Sequence, residues 1–130
     1  MIDAGIYGFQ MVGSRPRKMD LDKRRAKTTS MLNHNDIKFG ISKNFRTRKN
    51  TYLKTFGNDS KFEKILRIPT QEQREFIEDQ IRERLKPYRR INEKTGRKIP
   101  EWYTGISYEY IKNIILEFKN YPNVMEVKND

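Results

Sequence analysis

The sequence predicts an α/β (α+β) domain, a small three-stranded sheet flanked by helices. Three observations predict it. Residues 6–11 alternate at period two, two further short apolar runs cover residues 37–41 and 62–68, and each of these two is followed by a capping residue and a helically spaced apolar stripe. With 130 residues the chain suits one modest core and is read as a single domain over residues 1–130.

In the first strand Ile6, Gly8 and Gln10 alternate with Tyr7, Phe9 and Met11, and Val12 and Gly13 end the run in a turn. Residues 14–35 are polar and basic, with Leu21, Met31 and Leu32 as sparse apolar contacts, so they read as a long surface insertion, in part helical. The second strand covers residues 37–41. Asn44 then caps a helix over residues 45–56 that Gly57 stops, with Phe45, Tyr52, Leu53 and Phe56 as its apolar stripe. A third strand over residues 62–68 is closed by Pro69. Thr70 and Gln73 have capping-box spacing and open a helix over residues 71–86. Phe76, Ile77, Ile81 and Leu85 are read as one apolar sector of this helix, with Glu78 at its edge and Glu75 nearly opposite. Residues 87–100 read as a basic, turn-rich segment, and Trp102 and Tyr103 as core anchors. After Ser107, the residues Ile111, Ile114, Ile115 and Phe118 keep helical spacing up to Pro122, giving a C-terminal helical extension at about residues 100–121.

Charge narrows the function. The 28 Lys and Arg residues against 17 Asp and Glu leave a formal charge of +11, concentrated in residues 15–27, 38–54 and 82–98. Such patches neutralise phosphates and release counterions, which favours nucleic acid as partner. No run approaches the roughly 18 apolar residues of a membrane helix, and the N-terminus does not resemble a signal peptide. The expectation is a protein of the cytoplasm, inside the host cell if viral, with no membrane partner. The absence of cysteine removes disulfides, thiolate nucleophiles and the common zinc sites, and His34, the single histidine, reads as a loop residue. A catalytic metal would therefore be hard, Mg2+ or Mn2+ on carboxylate.

Gly5, Ile6 and Tyr7, followed some thirty residues later by Lys38, Phe39 and Gly40, resemble the paired motifs of the GIY-YIG nuclease superfamily. Ser42, Lys43, Asn44, Phe45 and Arg48 continue the pattern after Gly40, and Tyr52 falls where the family places a histidine or tyrosine one turn after the arginine. Lys38 stands in place of the second motif's tyrosine, as in some restriction-enzyme and phage-type branches. The resemblance covers roughly residues 3–90. It implies a mainly antiparallel three-stranded sheet and a metal-dependent endonuclease of phage or mobile-element type that hydrolyses DNA phosphodiester bonds, with double-stranded DNA as partner. In excision-repair members the metal-binding glutamate precedes a proline by nine residues, a spacing that Glu78 and Pro87 keep here. Glu101, Trp102 and Tyr103 resemble an ending of phage-type members, whereas the family's late asparagine is displaced: Arg90 is at its offset and Asn92 lies two residues on.

The expected catalytic set is thus Tyr7, Lys38, Arg48, Tyr52 and Glu78, with Glu78 the metal ligand. Arg48 and Tyr52 share a helix face, and the forked, permanently charged guanidinium suits a phosphate on which negative charge builds. Tyr7 and Lys38 ordinarily lose a proton only near pH ~10, so either would need a depressed pKa to act as base at neutrality. By the resemblance Tyr7 is the base or water-orienting group, Lys38 polarises it or binds phosphate, and Tyr52 holds water or phosphate. Nucleic-acid contacts are expected from Arg15, Arg17, Lys18, Lys23, Arg24, Arg25, Lys43 and Arg46. Sequence recognition would come from the basic insertion, from residues 82–98, or from homo-oligomerisation. Lys38 leaves a second reading open, a catalytically inactive GIY-YIG-fold protein that binds nucleic acid, and a third is a protein-interaction module.

Overall fold

A computed structural model describes residues 3–10, 17–18, 31–32, 36–58, 60–91 and 98–128, without the side chains of residues 17–18, 31–32, 90–91 and 98–101. Their fold is α/β: an open antiparallel sheet with three helices. Strand β1 (Gly5–Gln10) lies between β4 (Ile37–Ser42) and β5 (Lys61–Arg67). These are the three strands legible in the sequence, each displaced by only a residue or two. The sheet does not stop there. β6 (Arg89–Ile91), β7 (Lys98–Tyr103) and β8 (Met125–Glu126) extend it to six strands in the order β6-β7-β4-β1-β5-β8, so the three-stranded expectation is corrected. Arg17–Lys18 (β2) pairs with Met31–Leu32 (β3) as a separate two-stranded ladder, where a partly helical insertion was expected; the rest of residues 14–35, with His34, lies outside the described residues.

Helix α1 (Phe45–Phe56) starts where Asn44 Oδ1 accepts from the Thr47 amide at 3.1 Å and ends at Gly57, whose amide donates to the Leu53 carbonyl at 3.0 Å and whose positive φ of 102° turns the chain out of the helix. Helix α2 (Gln71–Leu85) is capped by Thr70, and α3 (Tyr108–Leu116) by Ser107, whose Oγ accepts from the Tyr110 amide at 3.1 Å. Two expectations fail on the C-terminal half. Residues 87–100 hold the edge strand β6 and the start of β7 rather than turns alone, and the supposed helical extension begins as strand β7, because Trp102 and Tyr103 pair with Lys38 and Ile37; its helix, α3, starts only after Ser107. Period-two placement also sends Trp102 and Tyr103 to opposite faces of the sheet. None of the helices among the described residues is long and apolar enough to cross a membrane.

The sheet is covered on both faces. On one, Ile6, Ile37, Phe39, Ile65 and Tyr103 pack with Ile77, Ile81 and Leu85 of α2 and Ile111, Ile114 and Ile115 of α3. On the other, Tyr7, Phe9 and Trp102 pack with Phe45, Tyr52 and Phe56 of α1. Phe76 departs from its expected sector: it is 48% exposed and its ring meets Tyr121 at 6.4 Å. Arg74 is buried instead, because its guanidinium donates to the carbonyls of Ile68 at 2.8 Å and Pro69 at 3.0 Å, tying the end of β5 to the start of α2.

On the α3 side Glu63 accepts from the Tyr108 hydroxyl at 2.6 Å and from Lys112 at 2.8 Å, joining β5 to α3. Burial by itself raises the Glu63 carboxyl, but the hydrogen bonds from Lys112 and Tyr108 and the charges of Lys112 and Lys61 together hold it below the usual carboxylate range. A depressed carboxyl contributes stability above its unfolded pKa near 4.3 and loses it as pH falls through the lower folded value. In thermal melts the stability gap between wild type and Glu63→Gln should therefore narrow as pH falls from about 5 to about 3. A gap independent of pH would show that the ionised carboxylate is not what joins β5 to α3.

Candidate functional site

Antiparallel register places the candidate groups on one face. Tyr7 lies opposite Gly40, and Phe9 opposite Lys38, so Tyr7 and Lys38 both project toward α1. Glycine is required at position 40 for a local reason: a Cβ there would sit 2.7 Å from the Tyr7 hydroxyl. Gly5 has its own constraint, since at φ 155° a Cβ would lie 1.8 Å from the Leu66 carbonyl oxygen. Both motif glycines are thus places where backbone or ring passes directly over the strand.

Tyr7 is 2% exposed, and its hydroxyl lies 2.7 Å from that of Tyr52, either able to donate; the rings meet edge to face at 5.6 Å. Phe62 stacks on the other side of Tyr7 at 4.7 Å. Lys38 is 7% exposed, with its ammonium 5.2 Å from the centroid of Tyr52 and 5.8 Å from that of Trp102, a placement in which the ring faces attract the cation. Arg48 sits on α1 one turn before Tyr52, exposed, and its charge reaches the Tyr7 phenol. Lys43 and Arg46 are exposed where β4 passes into α1. The structure therefore brings together Tyr7, Lys38 and Tyr52, with Arg48 beside them.

It treats the fifth residue differently. Glu78 lies on α2, which packs on the sheet face opposite Tyr7. Its side chain is buried as the sector reading requires, and it pairs with Arg82 at 3.4 Å. Glu75 is exposed, as expected. Among the described residues there is no group of three or more His, Cys, Asp or Glu that could hold a metal ion, so Glu78 would serve as a single carboxylate. Magnesium accepts that donor set, keeping several waters and taking one or two protein carboxylates alongside substrate phosphate.

The phenol of Tyr7 is also unlike the sequence expectation. A base at neutrality needs a depressed pKa, yet burial and the neighbouring Tyr52 push Tyr7 well up, and the opposing charges of Lys38 and Arg48 do not offset them. Tyr7 is a neutral hydrogen-bonding group here. Of the expected nucleic-acid contacts, Arg17 and Lys18 are placed in β2 by their backbone alone, and Arg15, Lys23, Arg24 and Arg25 lie outside the described residues, as does Asn92; the side chains of Arg90 and Glu101 are likewise not described.

Sequence reading missed Phe62, Lys64 and Asp3. Lys64 stands opposite Tyr7 on β5 and pairs with Asp3 at 3.3 Å, while Asp3 Oδ2 also accepts from the Arg46 amide at 3.2 Å, an acid at the start of α1. Only the parity of Phe62 and Lys64 along the third strand could have pointed to them, and only once the register with Tyr7 was known.

Gly40→Ala should cost about 1–3 kcal/mol by overpacking against the Tyr7 hydroxyl. In urea melts the cost should be smaller in a Tyr7→Phe background, which removes the nearest atom; an equal cost in both backgrounds would show that the ring does not lie over Gly40.

Comparison with protein-family models, with curated proteins and with solved structures gives no match for this chain.

Proposed function

We propose that the chain is a metal-dependent endonuclease of the GIY-YIG kind, hydrolysing DNA phosphodiester bonds, of phage or mobile-element type. The observation that carries the reading is the meeting of Tyr7, Lys38 and Tyr52 on one sheet face with Arg48 one helical turn away. A formal charge of +11 supports a polyanionic substrate. An antiparallel sheet flanked by helices, with β1 between β4 and β5, also agrees with the resemblance.

Arg48 would hold the scissile phosphate through its fixed fork of donors and stabilise the charge that builds there. The neutral Tyr7 and Tyr52 hydroxyls would orient a water by hydrogen bond, and Lys38 would add positive charge beside them. Mg2+ or Mn2+ would polarise the phosphoryl group and stabilise the leaving oxygen; Glu78 is the carboxylate the resemblance assigns to it, and would have to leave Arg82 and act from the α2 side of the sheet. Roles of this kind rest on positioned charge and hydrogen bonds and need no ionised tyrosine in the free protein.

Two observations favour a second reading, a GIY-YIG-fold protein that binds nucleic acid without cutting it: the raised Tyr7 phenol and the position of Glu78 on the opposite side of the sheet. Incubation of supercoiled plasmid with Mg2+ or Mn2+ separates the two. The nuclease reading expects nicked or linear product from wild type, a loss of about 100-fold or more in Arg48→Ala, and loss in Glu78→Ala with DNA binding in EDTA retained. Intact plasmid with wild type and either metal would leave the binding protein.

A further inference from the structure

Beside the Tyr7 cluster, at the outer edge of β5, lies a groove of about 440 Å³. Its lining draws on four separate parts of the chain: Lys49 from α1, Lys64 from β5, Lys112 from α3 and Lys128 after β8. Two carboxylates share it, and each has a lysine of its own. Glu63 is held by Lys112 at 2.8 Å, and Glu126 lies 3.9 Å from Lys119. The balance of the groove is therefore positive.

The groove is continuous with the candidate site. Phe62 lines it and also stacks on the Tyr7 ring at 4.7 Å, and on α1 Arg48 and Lys49 are successive residues, one beside Tyr7 and the next in the groove. A chain of phosphates lying against Arg48 would meet Lys49 next. Lys64 is paired with Asp3 and Lys112 with Glu63, so the exposed Lys49 and Lys128, on separate elements, are the ammonium groups that would neutralise successive phosphates and release their counterions.

We propose that this groove is a phosphate-binding track for the strand that flanks the phosphodiester held at Tyr7 and Arg48, with the backbone of DNA as its ligand. The proposal rests on the reading that the Tyr7 face meets nucleic acid, and does not require that the bond there be cut.

Lys49 and Lys128 are exposed, so their replacement leaves the core untouched. Lys54 is an exposed lysine on the same helix, five residues on and about 140° around from Lys49, and supplies a control of equal charge change. Binding of a fluorescein-labelled DNA duplex is followed by anisotropy in EDTA between about 50 and about 200 mM salt, with circular dichroism to check folding. Lys49→Glu and Lys128→Glu should each weaken binding about fivefold or more and lower the slope of log affinity against log salt by about one, while Lys54→Glu stays within about twofold. Equal effects from all three would mean that only net charge matters and would overturn the track. The two readings fail separately. Plasmid cutting with groove variants that bind like Lys54→Glu overturns the track alone; selective loss of binding in the groove variants with no cutting by wild type overturns the nuclease alone. A wild type that binds no DNA at low salt overturns both.

Discussion

Strand β1 is buried on both faces and paired on both edges, and the rest of the molecule is arranged around that constraint. Ile6 and Phe9 are fully buried and Tyr7 nearly so, yet successive side chains enter different cores: Ile6 the aliphatic one under α2 and α3, Tyr7 and Phe9 the aromatic one under α1. Each such side chain contributes about 1.5–3 kcal/mol by leaving water. A one-residue slip would exchange the two sets, placing a phenol among isoleucines and an isoleucine against Tyr52, so the register of the central strands is strongly specified. The irregularity between Ile6 and Tyr7 on the β5 side does not disturb the pairing with β4, where Gly40 makes room for the Tyr7 ring.

The division into two faces separates two kinds of chemistry. On the α1 face, hydroxyls and a lysine are embedded among aromatic rings with an arginine at the border, an environment of donors and positive charge in which the Tyr7 phenol stays neutral. On the α2 and α3 face, the carboxylates are already engaged: Glu63 with Tyr108 and Lys112, and Glu78 with Arg82. Positive charge thus gathers beside the Tyr7 and Tyr52 hydroxyls, while Glu63 joins β5 to α3 and the Glu78–Arg82 pair stays within α2. If Glu78 is to serve a metal, it must exchange an ion pair for it.

The helices were legible because their signals are local. Asn44 reaches Thr47, Thr70 reaches Gln73 and Ser107 reaches Tyr110, each a contact three residues long that any reading of neighbouring positions can find. The added strands were not: β6 and β8 are short edges, and β7 with them gains its place only from distant partners, as when Lys38 meets Trp102 or Leu66 meets Glu126. Phe76 and Arg74, by contrast, follow local phase: at about 100° per residue Phe76 stands opposite Leu85 and faces outward, while Arg74 stands beside Leu85 and turns its guanidinium to the carbonyls of Ile68 and Pro69.

By itself the sequence determined the three central strands, the capped helices and the order of Tyr7, Lys38, Arg48 and Tyr52, because periodicity and caps act between near neighbours. It also determined the burial of Glu78, since helical phase depends only on position along α2. Only the tertiary structure decided that Tyr7 would meet Tyr52 across 45 residues, that Phe62 and Lys64 would flank it, and that α2 would carry Glu78 to the other side of the sheet. Those outcomes follow from strand register and from which face each helix covers, long-range choices made by packing the whole core at once.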